Sequence, residues 1–154
     1  MSCQSAWLES PVGPLLLEEE GEALVRLAFL EQPPVDSCSP SPLLEVAKRQ
    51  LNEYFRGARQ HFDLPLKPSG TPFQQKAWQA LQQIPYGETR SYQQQALAFG
   101  GAQYARAVGS ANGRNPIAII IPCHRVIGKN GALTGFAGGM DRKHLLLQLE
   151  ARFR

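Results

Sequence analysis

Cysteine is scarce in this sequence, and what there is builds no scaffold. Of 154 residues only Cys3, Cys38 and Cys123 are cysteines, none in a C-x-x-C spacing, so neither a disulfide framework nor a zinc ribbon is expected and at least one thiol stays free. Long hydrophobic runs are missing as well. No stretch approaches the roughly 18 consecutive apolar residues of a membrane helix. The opening MSCQSAWLES lacks the basic start and apolar run of an export signal. An unexported protein of the cytoplasm, or of the nucleoid or nucleus, with no membrane partner is the expectation. Internal repeats and low-complexity tracts are absent too, and acidic residues all but vanish from the second half. Residues 67 to 154 carry only Glu88, Asp141 and Glu150 against eleven bases, a net charge of +8. Residues 1 to 66 hold ten acids against five bases, a net of −5. Such a split suits a basic half that meets a polyanion, although uneven surface charge alone never identifies a partner.

What is present is enough for a folded core: 43% of the residues are hydrophobic. The pattern predicts an α+β chain of two parts, 1–66 and 67–154. In the first, Leu15 to Glu19 and Ala23 to Phe29 alternate like strands around Gly21, a hairpin signal. Beyond a Pro- and Ser-rich loop from Gln32 to Pro42, Leu44, Ala47, Leu51, Tyr54 and Phe55 share one helical face that Gly57 can end. Pro65, Pro68 and Gly70 then read as a linker.

The second part is locally explicit. Thr71 with Gln74 is a capping-box pair, Pro72 suits the first helical position, and Phe73, Ala77, Leu81 and Ile84 repeat at helical spacing as far as Pro85. Ser91 with Gln94 repeats the pattern for a shorter helix through Phe99, and Gly100-Gly101 separates it from a third helix to about Ala111. Two short helices about a glycine turn in a basic region suggest a helix-turn-helix, a pattern shared by many plain packing motifs. In the third helix Ala105, Ala107, Gly109, Ser110 and Ala111 are small beside Arg106, which permits close approach either to a neighbouring helix or to a DNA groove. The β-branched run Ile117 to Ile121 is predicted to be a buried strand delivering the chain to Pro122.

Directly after it stands Pro122-Cys123-His124-Arg125. A thiol with an imidazole and a guanidinium alongside has the features of an activated nucleophile, since positive neighbours favour thiolate; an isolated buried cysteine is otherwise inert packing. Adjacent side chains on an extended segment diverge, so His124 needs a tight turn or a bridging water to take the thiol proton. The last helix, with Asp141 as expected N-cap, carries an apolar stripe of Leu146, Leu149 and Phe153 onto which Glu150 also falls. A carboxylate on a buried face requires a partner, and His124 is the candidate; at the edge of the stripe it would simply face water.

The run from Asn115-Pro116 through Pro122-Cys123-His124-Arg125-Val126, with Gly135-Phe136-Ala137-Gly138-Gly139, Arg142-Lys143 and Glu150 downstream and Arg106-Ala107-Val108-Gly109, Tyr92 and Thr71-Pro72-Phe73-Gln74 upstream, closely resembles the O6-alkylguanine-DNA alkyltransferase family. Residues 1–69 are similar only loosely, in the early strand and the helix ending Glu53-Tyr54-Phe55-Arg56-Gly57. The resemblance implies a small ribonuclease H-like α/β unit followed by a mostly helical domain that holds the helix-turn-helix and the active-site cysteine. It implies single-turnover transfer of an alkyl group from O6-alkylguanine, or O4-alkylthymine, in double-stranded DNA to Cys123, by a monomer without a cofactor. His124 would be the base through a water, Glu150 its orienting carboxylate, and Asn115 a hinge tying the DNA-binding helix to the active-site turn. Arg106 would replace the extruded nucleotide in the stack, and Tyr92 would press on the adjoining phosphate and bond the guanine. Ser91, Ala105, Ala107, Gly109 and Arg125 would also meet DNA, in the minor groove. Val126, Phe136, Ala137 and Lys143 would line the substrate pocket, Lys143 holding the following loop through backbone carbonyls.

Phe136 and Ala137 depart from members that carry tyrosine and serine there, removing a hydroxyl but not the backbone donor. Some members hold zinc in the first domain; Cys3, Cys38 and His61 are too irregularly spaced to suggest a metal site. Three other readings are weighed: a relative that flags lesions without repairing them would lack Cys123, a cysteine hydrolase would release product repeatedly, and a helix-turn-helix regulator would have no use for a Cys, His and Glu relay.

Overall fold

The computed structural model describes residues 4–35, 40–128, 136 and 138–154. The chain forms two compact units, residues 1–68 and 69–154. In the first, β1 (Ser5–Leu8), β2 (Leu15–Glu20) and β3 (Ala23–Phe29) form an antiparallel sheet in that order. The β2–β3 hairpin turns on Gly21 and Glu22, both at positive φ, the two-residue geometry whose twist matches that of the flanking strands. Helix α1 (Pro42–Phe55) starts from Ser41, whose hydroxyl caps Leu44 N–H and donates to Glu19. It ends with Gly57 N–H on the Tyr54 carbonyl and Ala58 N–H on that of Glu53, at 3.0 and 2.8 Å. Its buried Leu44, Ala47, Leu51 and Tyr54 form a core with Leu15, Leu17, Leu24 and Leu27 of the sheet. The expected linker begins later than its prolines suggest. Leu66 pairs in parallel with Leu24, because extended backbone there satisfies groups that β3 leaves open.

The second unit is built on α2 (Pro72–Gln82), with the Thr71/Gln74 capping box complete and Trp78 donating from its ring nitrogen to the Ala111 carbonyl at 2.9 Å. Strand β4 (Arg90–Ser91) leads into α3 (Tyr92–Ala96), which is capped by the Ser91/Gln94 box and continues as a 3-10 turn through Phe99. Gly100 and Gly101, at φ +116° and +147°, supply backbone that side-chain-bearing residues rarely adopt. They swing the chain into a second 3-10 turn and then α4 (Ala105–Gly113), completing a helix-turn-helix. Gln95 and Asn112 lock the two helices by a reciprocal buried amide pair, at 3.0 and 2.7 Å. Strand β5 (Val126–Ile127) pairs in parallel with β4, and α5 (Met140–Phe153) follows.

Two sequence expectations are corrected here. Residues 117–121 are buried but are not a strand. Ile121 N–H bonds the Ile117 carbonyl, and Ile120 N–H bonds that of Ala118 across Ile119, whose φ is +71°, a rare and costly turn for a β-branched residue. The reason is Asn115, which fastens both ends: Ile117 N–H donates to its Oδ1 at 3.0 Å, and its Nδ2 donates to the Ile121 carbonyl at 2.8 Å. Helix α5 is capped by Gly139 rather than Asp141, which lies within its first turn. Its fully buried stripe is Lys143, Leu146 and Glu150, while Leu149 and Phe153 are only half-buried.

Candidate active site

The chain leaves the Asn115-clasped turn through Pro122, whose φ of −82° and ψ of 67° let Cys123 N–H bond the Ile121 carbonyl at 2.8 Å. Cys123 to Arg125 then form a single 3-10 turn, closed by Arg125 N–H on the Pro122 carbonyl at 3.0 Å. This tight turn, and not an extended segment, sets the directions of the three side chains. Cys123 remains partly exposed, whereas His124 and Glu150 are 0% and 1% exposed.

His124 Nε2 lies 2.6 Å from Glu150 Oε2. An ionised carboxylate only accepts, so the imidazole proton sits on Nε2 and the lone pair on Nδ1. Nδ1 is buried and has no hydrogen-bond partner among the described residues. Burial pushes the His124 pKa down against the pull of Glu150, so the ring is held neutral. Burial opposes the charge on Glu150 as well, but the hydrogen bonds of His124 and Arg125 and the charge of the guanidinium outweigh it and hold the carboxyl well below the usual carboxylate range. Glu150 also accepts Gly87 N–H at 3.2 Å, so both oxygens are engaged.

Arg125 is the clearest correction to the sequence reading. Expected at the DNA surface and as a cation activating the thiol, it is 7% exposed and spent internally. Nε and Nη2 donate to the two Glu150 oxygens at 2.8 and 3.0 Å, and Nη1 donates to the Ile84 carbonyl at 2.8 Å. Desolvation therefore dominates at Cys123 and raises its pKa, with the Asn115 carboxamide and the Lys143 charge working in the opposite direction. The resting sulfur is a thiol that needs its proton removed, not a preformed thiolate.

Lys143 is 0% exposed rather than a solvated first-turn lysine. Its Nζ donates to the Val126 carbonyl at 2.6 Å and lies 5.9 Å from the centre of the Tyr92 ring, and burial lowers its pKa to about 8. It is thus the cation that acts on the sulfur. Val126 and Phe136 are buried, and Ala137 lies outside the described residues, as do Cys3 and Cys38. Tyr92 is half-buried, and its ring lies against Gly109, which therefore serves packing between α3 and α4. Ser91 spends its hydroxyl as acceptor on capping α3. On α4 Val108, Ala111 and Asn112 face inward, leaving Arg106, Ala107 and Ser110 exposed with Ala105 at the edge. Arg114, two turns beyond Arg106 and exposed on the same face, was not singled out from the sequence, although its i+8 spacing would have shown it. The reciprocal Gln95–Asn112 pair was missed as well and has no local signal.

Among the described residues no group of three or more His, Cys, Asp or Glu side chains is placed to hold a metal, and no helix is long and apolar enough to cross a membrane. Residues 72–152 match the family described as 6-O-methylguanine DNA methyltransferase, DNA binding domain, and residues 5–68 match the 6-O-methylguanine DNA methyltransferase, ribonuclease-like domain. A methylated-DNA–protein-cysteine methyltransferase of Methanosarcina barkeri is 51% identical over 93% of this chain and 94% of its own length. The constitutive enzyme of that name from Bacillus subtilis is 50% identical over 92% of each. The crystal structure of Mycobacterium tuberculosis OGT in complex with DNA superposes with a TM-score of 0.87 at 51% identity, covering 97% of this chain and 93% of that one. With the thiol, imidazole and carboxylate assembled on that fold, the chain belongs to the methylated-DNA–protein-cysteine methyltransferase family.

Proposed function

We propose that this protein repairs DNA by direct reversal, moving the alkyl group of O6-alkylguanine in a duplex onto Cys123, once per molecule. The observation that carries the reading is the buried His124–Glu150 pair, with His124 in the same 3-10 turn as Cys123 and its Nδ1 lone pair left without a partner among the described residues. In the reaction the S–C bond forms as the C–O6 bond breaks, with the thiol proton passing through a bridging water to Nδ1. The electron pair stays on the guanine, and the Tyr92 hydroxyl meets its developing charge. Asn115 and Lys143 lower the cost of negative sulfur from either side. A thioether has no easy hydrolysis route, which makes the product a spent protein.

A base inside a duplex is out of reach of a thiol, so the nucleotide must be flipped, at a cost of a few kcal/mol. The exposed face of α4 suits the minor groove: Ala105, Ala107 and Ser110 permit close approach, Arg106 fills the gap in the stack, and Arg114 bonds the backbone. The relative in complex with DNA supports DNA as the partner. In this reading the first unit is structural and the protein acts as a monomer. The test is stoichiometry: a duplex with one O6-methylguanine carrying a labelled methyl should leave at most one equivalent of label on the protein, and none on Cys123→Ala, which still binds DNA. Release of label with repeated turnover would instead indicate a hydrolase.

A further inference from the structure

The proposed mechanism gives Arg125 no contact with the reacting atoms, yet its guanidinium is fully engaged and stacks 5.6 Å from the centre of the Tyr86 ring. We propose that Arg125 is a positioning residue for the transfer: through its two-pronged hold on Glu150 it decides the protonation state in which His124 meets the thiol, and so the lower edge of the pH range in which the protein works. The inference rests on the alkyltransfer reading and deepens it.

Glu150 is one carboxylate shared by two side chains. His124 takes Oε2 at 2.6 Å, and Arg125 takes both oxygens at 2.8 and 3.0 Å. Among the described residues, the titratable and charged groups around His124 are Cys123 and Arg125 from its own turn and Lys143 and Glu150 from α5, with Tyr86 of the α2–β4 connection beyond the guanidinium. Were Glu150 paired with the histidine alone, it would favour imidazolium, which has no lone pair to offer. With Arg125 in place the carboxylate is already neutralised, and an imidazolium would sit beside two like charges, those of Arg125 and Lys143.

The working form carries a single proton between Cys123 and His124. The form with two is inactive, and Arg125 makes it costly. Removing the guanidinium charge therefore moves the acidic limb of the transfer rate to higher pH. An arginine serves better than a lysine, because its third nitrogen, bonded to the Ile84 carbonyl, fixes the fork against Glu150 while the charge is held.

Single-turnover transfer from an O6-methylguanine duplex, followed from about pH 5.5 to about pH 8.5 across the histidine range, tests this with Arg125→Met and Arg125→Lys. Arg125→Met should lose roughly tenfold on the acidic limb, the gap closing as pH rises, because loss of a neighbouring charge acts through protonation. Arg125→Lys, which keeps a charge on Glu150, should keep the limb near its wild-type position even if it is slower overall. A curve for Arg125→Met parallel to wild type, or one displaced limb shared by both variants, would overturn the proposal. Should Arg125→Met not fold, the imidazole nitrogen resonances of His124, assigned by His124→Asn, decide between wild type and Arg125→Lys. A neutral ring with its lone pair on Nδ1 supports the proposal, and an imidazolium at neutral pH in either protein overturns it. That readout needs no alkyl transfer, so wild type failing to transfer would count against the parent reading and not against Arg125.

Discussion

Replacing Glu150 by glutamine changes one atom type at the point where His124, Arg125 and Gly87 converge. The carboxylate accepts from all of them; the amide keeps a single acceptor oxygen. Arg125, with only donors and no other anion paired with it among the described residues, claims that oxygen, which turns the amide nitrogen toward His124. Nε2 must then accept, the imidazole proton moves to Nδ1, and the lone pair proposed to take the thiol proton through water is gone. Two costs follow. Leaving the buried guanidinium without its counter-charge should destabilise the second unit by about 3–5 kcal/mol. Losing the base should slow transfer by roughly a hundred- to ten-thousand-fold near neutral pH. The assay is single-turnover transfer from an O6-methylguanine duplex at a temperature where circular dichroism shows the variant folded. Because Cys123 can also lose its proton directly to solvent at high pH, the deficit should narrow as pH rises. An unchanged rate, or a deficit equal at every pH, would remove the histidine relay from the account.

Asn115→Ala strands the Ile117 N–H and the Ile121 carbonyl, and should cost about 1–3 kcal/mol for each buried group left unpaired. It should also slow transfer by withdrawing a donor from the sulfur; chemical denaturation and single-turnover rates check the two effects separately. Arg106→Ala should impair base extrusion, read by the fluorescence of a base analogue in the duplex, more than groove binding, and equal loss of both would argue against its place in the stack. Lys143 titrates near pH 8 when folded against 10.5 in the unfolded chain, so its burial as a cation costs stability below pH 8, by about 3 kcal/mol in total. That cost is relieved between the two values as the folded unit gives up the proton first. The stability difference between wild type and Lys143→Met should therefore move in favour of wild type from pH 8 to 10.5, whereas a constant difference would show the lysine to be unperturbed.

The sequence is most legible where structure is local. Capping boxes at Thr71/Gln74 and Ser91/Gln94 appear where the pattern puts them, and so do the turns at Gly21 and Gly100-Gly101, because each depends on residues three or four apart. The burial of residues 117–121 was equally readable, but not their shape. Five apolar residues in a row fit a strand and a buried turn alike, and the choice is made by the side chain of Asn115 bonding six residues ahead. Glu150 was placed on a buried face from its spacing, yet its second partner was invisible. Arg125 looks in sequence like a cation beside the thiol, and only folding brings it against a carboxylate 25 residues away. For that reason adjacency suggested the wrong source of activation, and Lys143, seventeen residues beyond the carbonyl it binds, supplies the charge instead.

The central claim concerns where the alkyl group ends. After reaction with an O6-methylguanine duplex, trypsin should release peptide 115–125, whose one cysteine is Cys123. Mass spectrometry should find that peptide carrying a single added methyl on sulfur, in proportion to the guanine restored in the DNA. Restored guanine with peptide 115–125 unmodified, or methyl found on another residue, would contradict the account.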